Sequence, residues 1–124
     1  MRKQGILNPE LTWVISSLGH TDAFAIGDCG LPLPDGVKVI DLSLIFGVPS
    51  FADVARAILN EVVVEAVAIA DSTPREIREL LPNVPVRETT HETLKNRLAE
   101  CRFIVRTGET TPFANAIFRS GVAF

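Results

Sequence analysis

The stretch Val62–Ala70, which reads VVVEAVAIA, decides the fold of this chain. It consists almost entirely of β-branched and small apolar residues, which pack well on both faces of a pleated sheet. The run is too short to span a bilayer, which needs about 20 apolar residues, and Glu65 interrupts it. We therefore predict a buried central strand, around which the remaining elements assemble.

Helix and strand patterns alternate on both sides of this stretch. Short apolar runs predict further strands at Ala23–Gly27, Val37–Leu42, Val84–Glu88, Phe103–Arg106 and Asn115–Phe124. Capping residues predict a helix from Asn8 that stops at Gly19, one from Ser50, a short one over Thr73–Leu81, and one opened by a capping box of Thr89 and Glu92. The alternation predicts an α/β fold: a three-layer α/β/α sandwich with a central, mostly parallel or mixed sheet, in a single domain over residues 1–124.

Composition and charge narrow the classes of function. A chain of 124 residues is long enough for one core and too short for two. Its net charge is −3 and its basic residues are scattered, so we expect no nucleic-acid partner. No apolar run predicts a membrane span or a signal peptide, so we expect a cytoplasmic protein with free thiols at Cys29 and Cys101. A mean hydropathy of +0.27 in so short a chain predicts that self-association covers apolar surface.

The only two histidines, His20 and His91, mark the candidate site. Histidine is the side chain whose ordinary pKa lies nearest neutral pH, so it is the default proton carrier in catalysis without a cofactor. Asp28 follows a predicted strand, and Asn115 lies in a polar turn near the C-terminus. Two imidazoles, a carboxylate and an amide are sufficient to bind a polyhydroxylated small molecule and to move its protons.

Each of these residues has an alternative interpretation. Asp28 is equally explained as a loop aspartate that caps its own turn. His20 follows a predicted helix C-terminus, where an imidazolium is favoured with or without chemistry. His91 begins a helix, where a plain solvent-exposed residue is also common. Asp22 either orients the imidazole of His20 or serves as an ordinary turn acid.

Metal and phosphate sites have weak support. The histidines lack metal-ligand spacing, and nothing in the pattern requires a zinc site made from both of them and Asp28. The hydroxyl-rich segment Arg106–Pro112 lacks the lysine and glycine spacing of a phosphate-binding loop. We therefore expect neither a metal nor a cofactor.

A series of motifs, in order along the chain, carries a family resemblance. They are Lys3–Asn8, Leu18–Asp22, Asp28–Pro34, Ile40–Leu42, Gly47–Phe51, Thr90–Glu92 and Arg106–Glu109. Together they resemble the D-ribose pyranase family, the ribose-utilisation mutarotases related to the L-fucose mutarotases. The resemblance extends from Lys3 to Phe124, and the Asp28–Pro34 loop and the Gly47–Phe51 turn are those of the ribose branch.

The resemblance implies a cofactor-free isomerase that interconverts the pyranose and furanose forms of D-ribose, and the two anomers. The family's proton donor matches His20. Its sugar-binding positions match Asp28, His91, Phe113, Ala114 and Asn115. The resemblance also implies a homo-oligomer, a decamer of two stacked five-subunit rings with sites near subunit contacts, and a monosaccharide substrate with no nucleic-acid or membrane partner.

The sequence departs from the family in two places. Phe113 stands where the family has tyrosine, so one hydroxyl near the sugar is missing. The segment Asp71–Pro85 is shorter than in the family and lacks an acidic pair after the central strand. These departures leave open a mutarotase for a different monosaccharide, a non-catalytic sugar-binding or regulatory ring protein of the same fold, and an inert structural ring.

Overall fold

The computed structural model describes all 124 residues and contains four α-helices and six strands. In chain order they are α1 (Pro9–Ser16), β1 (Ala23–Gly27), β2 (Lys38–Asp41), α2 (Phe51–Leu59), β3 (Val64–Ala70), α3 (Arg75–Arg78), β4 (Val86–Thr89), α4 (His91–Arg97), β5 (Phe103–Arg106) and β6 (Ala116–Ser120). A single 3₁₀ turn, Leu98–Glu100, extends α4.

The strands form one mixed sheet in the order β2-β5-β1-β6-β3-β4. β6 runs antiparallel to both of its neighbours, β1 and β3, and every other pairing is parallel. All strands except β6 therefore end at the same edge of the sheet, which we call the carboxyl edge, and β6 begins there. The opposite edge, where β1 and β3 begin, is the amino edge.

Helices cover both faces of the sheet, which confirms the predicted three-layer sandwich. On one face, α1, α2 and α3 pack over a core in which the Phe24 ring stacks on Phe103 and Phe118, with ring centroids 5.3 and 5.2 Å apart. These three residues face one another across β5, β1 and β6. The other face carries small side chains such as Ala25 and Ala68, which let α4 pack closely through residues that include Leu94.

The predicted helix caps are partly confirmed. Asn8 caps α1 and Ser50 caps α2, each side chain accepting a hydrogen bond from a first-turn N–H. The predicted capping box of Thr89 and Glu92 is wrong by one residue. Thr89 still pairs in β4, and Thr90 caps α4 instead, its side chain accepting from the N–H of Thr93 at 3.1 Å.

Several predicted helices and strands are longer than the ones that form. β3 begins at Val64, two residues later than the predicted strand, and β6 ends at Ser120, before the predicted limit at Phe124. α1 ends at Ser16, ahead of the expected stop at Gly19. Val62 before β3 and Leu18 after α1 continue the apolar pattern because they pack against the core from loops, whereas Val122 and Phe124 beyond β6 are exposed.

Cys101 provides a chemical test of the packing beside α4. Its thiol is buried, and this burial, assisted by the nearby charge of Glu100, raises its pKa to about 12. Cys29 is partly exposed, and both cysteines are free.

Because the thiolate is the reactive form, we expect iodoacetamide at mildly alkaline pH to label the native protein at Cys29 and to reach Cys101 only in denaturant. Peptide mapping by mass spectrometry measures this, with Cys29→Ser as control; comparable native labelling of both cysteines would contradict the packing described.

Candidate functional site

The carboxyl edge of the sheet brings Asp28 and Asn115 together. Asp28 directly follows β1, Asn115 directly precedes β6, and these strands are neighbours. Asn115 Oδ1 accepts from the backbone N–H of Asp28 at 2.8 Å, and Asn115 Nδ2 donates to Asp28 Oδ2 at 2.9 Å. Asp28 Oδ1 accepts from the backbone N–H of Gly30 at 2.9 Å, so Asp28 also caps its own turn, as the alternative interpretation predicted. Both carboxylate oxygens are therefore held in one orientation.

Gly27 makes this close approach of β1 and Asn115 sterically feasible. A Cβ atom at this position would lie 2.5 Å from Leu31 Cδ2 and 3.0 Å from Asn115 Oδ1. The Leu31 side chain is itself buried in the core beneath α4. A larger residue at position 27 would therefore displace Leu31 and Asn115, and Asn115 is the residue that holds Asp28.

His91 and Phe113 form an aromatic pair at the same edge. Their rings meet edge to face, with centroids 5.0 Å apart. His91 is the first residue of α4 and is half-buried, which disagrees with the alternative of a plain solvent-exposed first-turn residue. Its Nδ1 is enclosed and makes no hydrogen bond, which leaves Nε2 as the ring nitrogen able to meet a ligand.

Backbone geometry fixes the position of Phe113. Its φ angle is +63°, a left-handed conformation that is uncommon for a bulky side chain. The buried Thr73 donates from its hydroxyl to the Phe113 carbonyl at 3.3 Å. The next residue, Ala114, is fully buried in the core beneath α1, α2 and α3, so its methyl group anchors the segment.

Glu109 organises the loop that leads to Asn115, and the sequence did not identify it as a site residue. Its Oε1 accepts from the N–H of Phe51 at the start of α2 at 3.1 Å, and its Oε2 accepts from the N–H of Thr110 at 3.1 Å. Its carbonyl accepts from the N–H of Cys29 at 2.9 Å. A carboxylate of the chain thus occupies the helix N-terminus, where an external anion would otherwise bind.

Arg106 holds the opposite side of the Asp28 loop. Its guanidinium donates twice to the carbonyl of Cys29, at 2.7 and 3.2 Å, and once to Asp41 Oδ2 at 3.3 Å. The pKa of Asp41 is lowered, chiefly by the hydroxyl of Ser43 and further by its backbone N–H and by Arg106. The Asp41 carboxyl therefore stays ionised at a lower pH than an ordinary aspartate. Its bond with Arg106, which links β2 to the Asp28 loop, persists in mildly acidic solution.

His20 lies at the amino edge, apart from the other candidate residues. It precedes β1 whereas Asp28 follows it, and five strand residues span about 17 Å. Its Nε2 contacts Glu65 Oε2 at 2.9 Å, so its partner is a carboxylate and not the end of α1. Asp22 does not orient the imidazole but accepts from the N–H of Gly19 at 2.9 Å, as a turn acid does.

Neither metal-binding clusters nor membrane-spanning helices occur in the structure. No three His, Cys, Asp or Glu side chains are placed to hold one metal ion. None of the helices has the length and apolar character needed to cross a bilayer. The groups at the carboxyl edge are hydrogen-bonding side chains beside an aromatic ring, an arrangement typical of a site for a small polar molecule.

This chain belongs to the RbsD/FucU family, since residues 1–123 match the model described as the RbsD / FucU transport protein family. It is 56% identical to a D-ribose pyranase of Corynebacterium glutamicum (strain R) over 124 residues, which covers all of both chains. It is 47% identical to a D-ribose pyranase of Clostridium tetani over 131 residues, again covering all of both. The Corynebacterium alignment has the length of this chain, so the short Asp71–Pro85 segment is not peculiar to it.

Solved structures agree with the fold. The structure of Bacillus subtilis RbsD complexed with D-ribose matches with a TM-score of 0.93 at 41% identity, covering all of both chains. FucU from Bifidobacterium longum matches with a TM-score of 0.81 at 18% identity, covering 95% of this chain and 96% of the other, and this match supports the fold alone.

Replacing Gly27 tests the packing that holds Asp28. We expect Gly27→Ala to lower the free energy of unfolding by about 1–3 kcal/mol, because the added methyl overpacks Leu31 and Asn115. The matched control is Gly30→Ala, whose Cβ would lie 3.6 Å from its nearest neighbour, Asp28 Oδ1, and whose cost should stay within about 0.5 kcal/mol. Urea denaturation measures both, and equal stability of the two variants would contradict the steric argument.

Proposed function

We propose that this protein is a D-ribose pyranase, which interconverts the pyranose and furanose forms of D-ribose, and the two anomers, without a cofactor. The observation that carries the proposal is the Asp28–Asn115 pair beside the His91–Phe113 pair, in a chain whose full-length relatives are D-ribose pyranases. The B. subtilis relative, complexed with D-ribose, supports the choice of sugar.

The reaction needs an acid and a base. The acid protonates the ring oxygen as its bond to the anomeric carbon breaks, and the electron pair of that bond stays on the oxygen. The base removes the anomeric hydroxyl proton, so that an open-chain aldehyde forms. Closure through a different hydroxyl reverses both transfers and gives the other ring size. Groups that carry protons near neutral pH are sufficient, and each typically contributes about 10²–10⁴-fold.

The geometry at the carboxyl edge supports the proposed roles there, and the family resemblance supplies the role of His20. The buried Asn115 holds the carboxylate of Asp28 in a fixed orientation, which suits Asp28 to bind sugar hydroxyls. His91 presents Nε2 and Phe113 an apolar ring edge beside it. The anomeric proton goes to Asp28 or to His91, and His20 is the proton donor. The missing hydroxyl at Phe113 leaves the His91 contact intact, since that contact uses the ring.

Because His20 and Asp28 lie at opposite ends of β1, we propose that one site uses two copies of the chain. His20 of one copy faces the carboxyl edge of the next, and repetition of this head-to-tail contact closes a ring. We propose a decamer of two five-subunit rings, in keeping with the family resemblance.

An exposed apolar loop beside the site supports this assembly. Leu44, Ile45 and Phe46 expose 75, 66 and 86% of their surface, although all three are large apolar residues. The loop packs against Gly108, where a Cβ atom would lie 2.6 Å from the Ile45 carbonyl oxygen. Apolar surface of this kind, rimmed by polar residues, is typical of subunit contacts. The proposed compartment is the cytoplasm, in keeping with the two free cysteines.

Ring exchange of free sugars tests the activity directly. We expect catalytic amounts of the protein to accelerate exchange between ribopyranose and ribofuranose, with and without prior chelator treatment, because the proposed chemistry needs only proton transfer. Saturation-transfer NMR on equilibrated ribose measures the rate, and fucose, galactose and glucose test sugar preference. Ribose binding without acceleration would favour the non-catalytic alternative, preference for another sugar would correct the substrate, and neither binding nor acceleration would favour the structural ring.

Mixing two inactive variants tests whether a site spans two copies. His20→Ala and Asp28→Asn should each lower exchange by about 10²–10⁴-fold. After the two are unfolded and refolded together in equal amounts, about one quarter of head-to-tail contacts combine an intact His20 with an intact Asp28, so activity should return. Refolding each variant alone is the control. Absence of recovery in mixed oligomers, verified by mass spectrometry, would contradict a site that spans two copies.

A further inference from the structure

The turn that carries His20 is held rigidly at the amino edge. Thr21 has a φ angle of +70°, a conformation rarely adopted by a β-branched residue. Its N–H donates to the carbonyl of Ser120 at 2.9 Å, and the N–H of Ser120 donates to the carbonyl of Asp22 at 2.8 Å. Strain of this kind persists only where surrounding contacts determine it, and it concentrates at functional sites. The backbone directly after His20 is therefore fixed against the end of β6.

The side chain of His20 is held by Glu65. Glu65 Oε2 lies 2.9 Å from His20 Nε2, and its other oxygen, Oε1, forms an ion pair with Arg119 Nε at 2.8 Å. Arg119 is thus placed to keep the carboxylate from rotating away from the imidazole. The interaction joins three elements: the turn before β1, the start of β3 and the end of β6.

An irregularity in the sheet aims Glu65 at this position. The pairing of β3 with β6 shifts register between Val64 and Ala66, so Glu65 lies in a β-bulge. Bulges re-aim single side chains and are common next to active sites. Gly121 leaves room for this kink, since a Cβ there would lie 3.3 Å from the Cβ of Glu65.

We propose that Glu65 is the positioning residue of His20, an inference that rests on the proposed function. A carboxylate can only accept, so the neutral imidazole facing it must carry its proton on Nε2. Nδ1 is then the nitrogen that meets the sugar, and it gives a proton to the ring oxygen when His20 is protonated. Glu65 itself touches no substrate. It fixes the tautomer and the ring orientation, as the aspartate does in a hydrolase triad.

A merely structural role for Glu65 makes a different prediction. The side chains of His20 and Glu65 are 52 and 35% exposed in the single chain. Ion pairs with this exposure add little to stability. If the pair were only a surface contact, its loss would change neither the folded state nor catalysis. If it sets the tautomer, its loss would leave the fold intact and lower kcat.

The test compares Glu65→Gln with Glu65→Asp. The Gln amide can donate to Nε2 and so favours the wrong tautomer, and we expect a roughly 10- to 100-fold lower kcat for ribose ring exchange with little change in KM. Asp keeps a carboxylate and should retain more of the kcat. The matched control is Glu79→Gln, which removes a comparable 2.8 Å contact, to Arg75 on α3, and should leave exchange unchanged.

Nitrogen-15 NMR of the histidines gives the readout that a structural role would not move. In the wild type, the neutral His20 ring should carry its proton on Nε2, and in Glu65→Gln it should shift toward Nδ1; the spectrum of His91→Gln assigns the signals. Unchanged kcat in Glu65→Gln, or an Nδ1 proton in the wild type, would overturn the inference while leaving the proposed function standing. A wild type without ring exchange would overturn both.

Discussion

The hydrogen bonds between Asn115 and Asp28 are the interaction on which the site depends. They exist because β1 ends where its antiparallel neighbour β6 begins, at the middle of a sheet in which only the two pairings of β6 are antiparallel. A single amide binds both the backbone N–H and the carboxylate of Asp28, so the end of one strand fixes the start of the other. Gly27 permits the approach, and Glu109 secures the loop behind it.

The same sheet separates the proposed acid from the proposed binding groups. β1 places His20 at its start and Asp28 just past its end, so no side-chain rotation within one chain can join them. The proposed function therefore makes self-association part of the catalytic design, with each copy supplying a donor at one edge and a sugar-binding surface at the other. Exposed apolar residues such as Phe46 lie beside the surface that would be joined.

Local patterns in the sequence predicted most of the fold and part of the site. The strands Ala23–Gly27 and Phe103–Arg106 form with the predicted bounds, because burial on both faces leaves an unbroken apolar run. Asp28 and Asn115 were identified, but their mutual bonds were not, nor was the contact of His20 with Glu65. These pairs are 87 and 45 residues apart in the chain, and no periodicity records which strand ends become neighbours.

In the proposed oligomer, His20 of one copy and His91 of the next face one bound sugar. Since the chain has only these two histidines, selective carbon-13 labelling of histidine gives two ring signals. Titration with D-ribose should shift both signals along one binding curve, and Asp28→Asn should weaken both shifts together. A titration in which ribose shifts His91 while His20 stays unchanged in the intact oligomer would contradict the account.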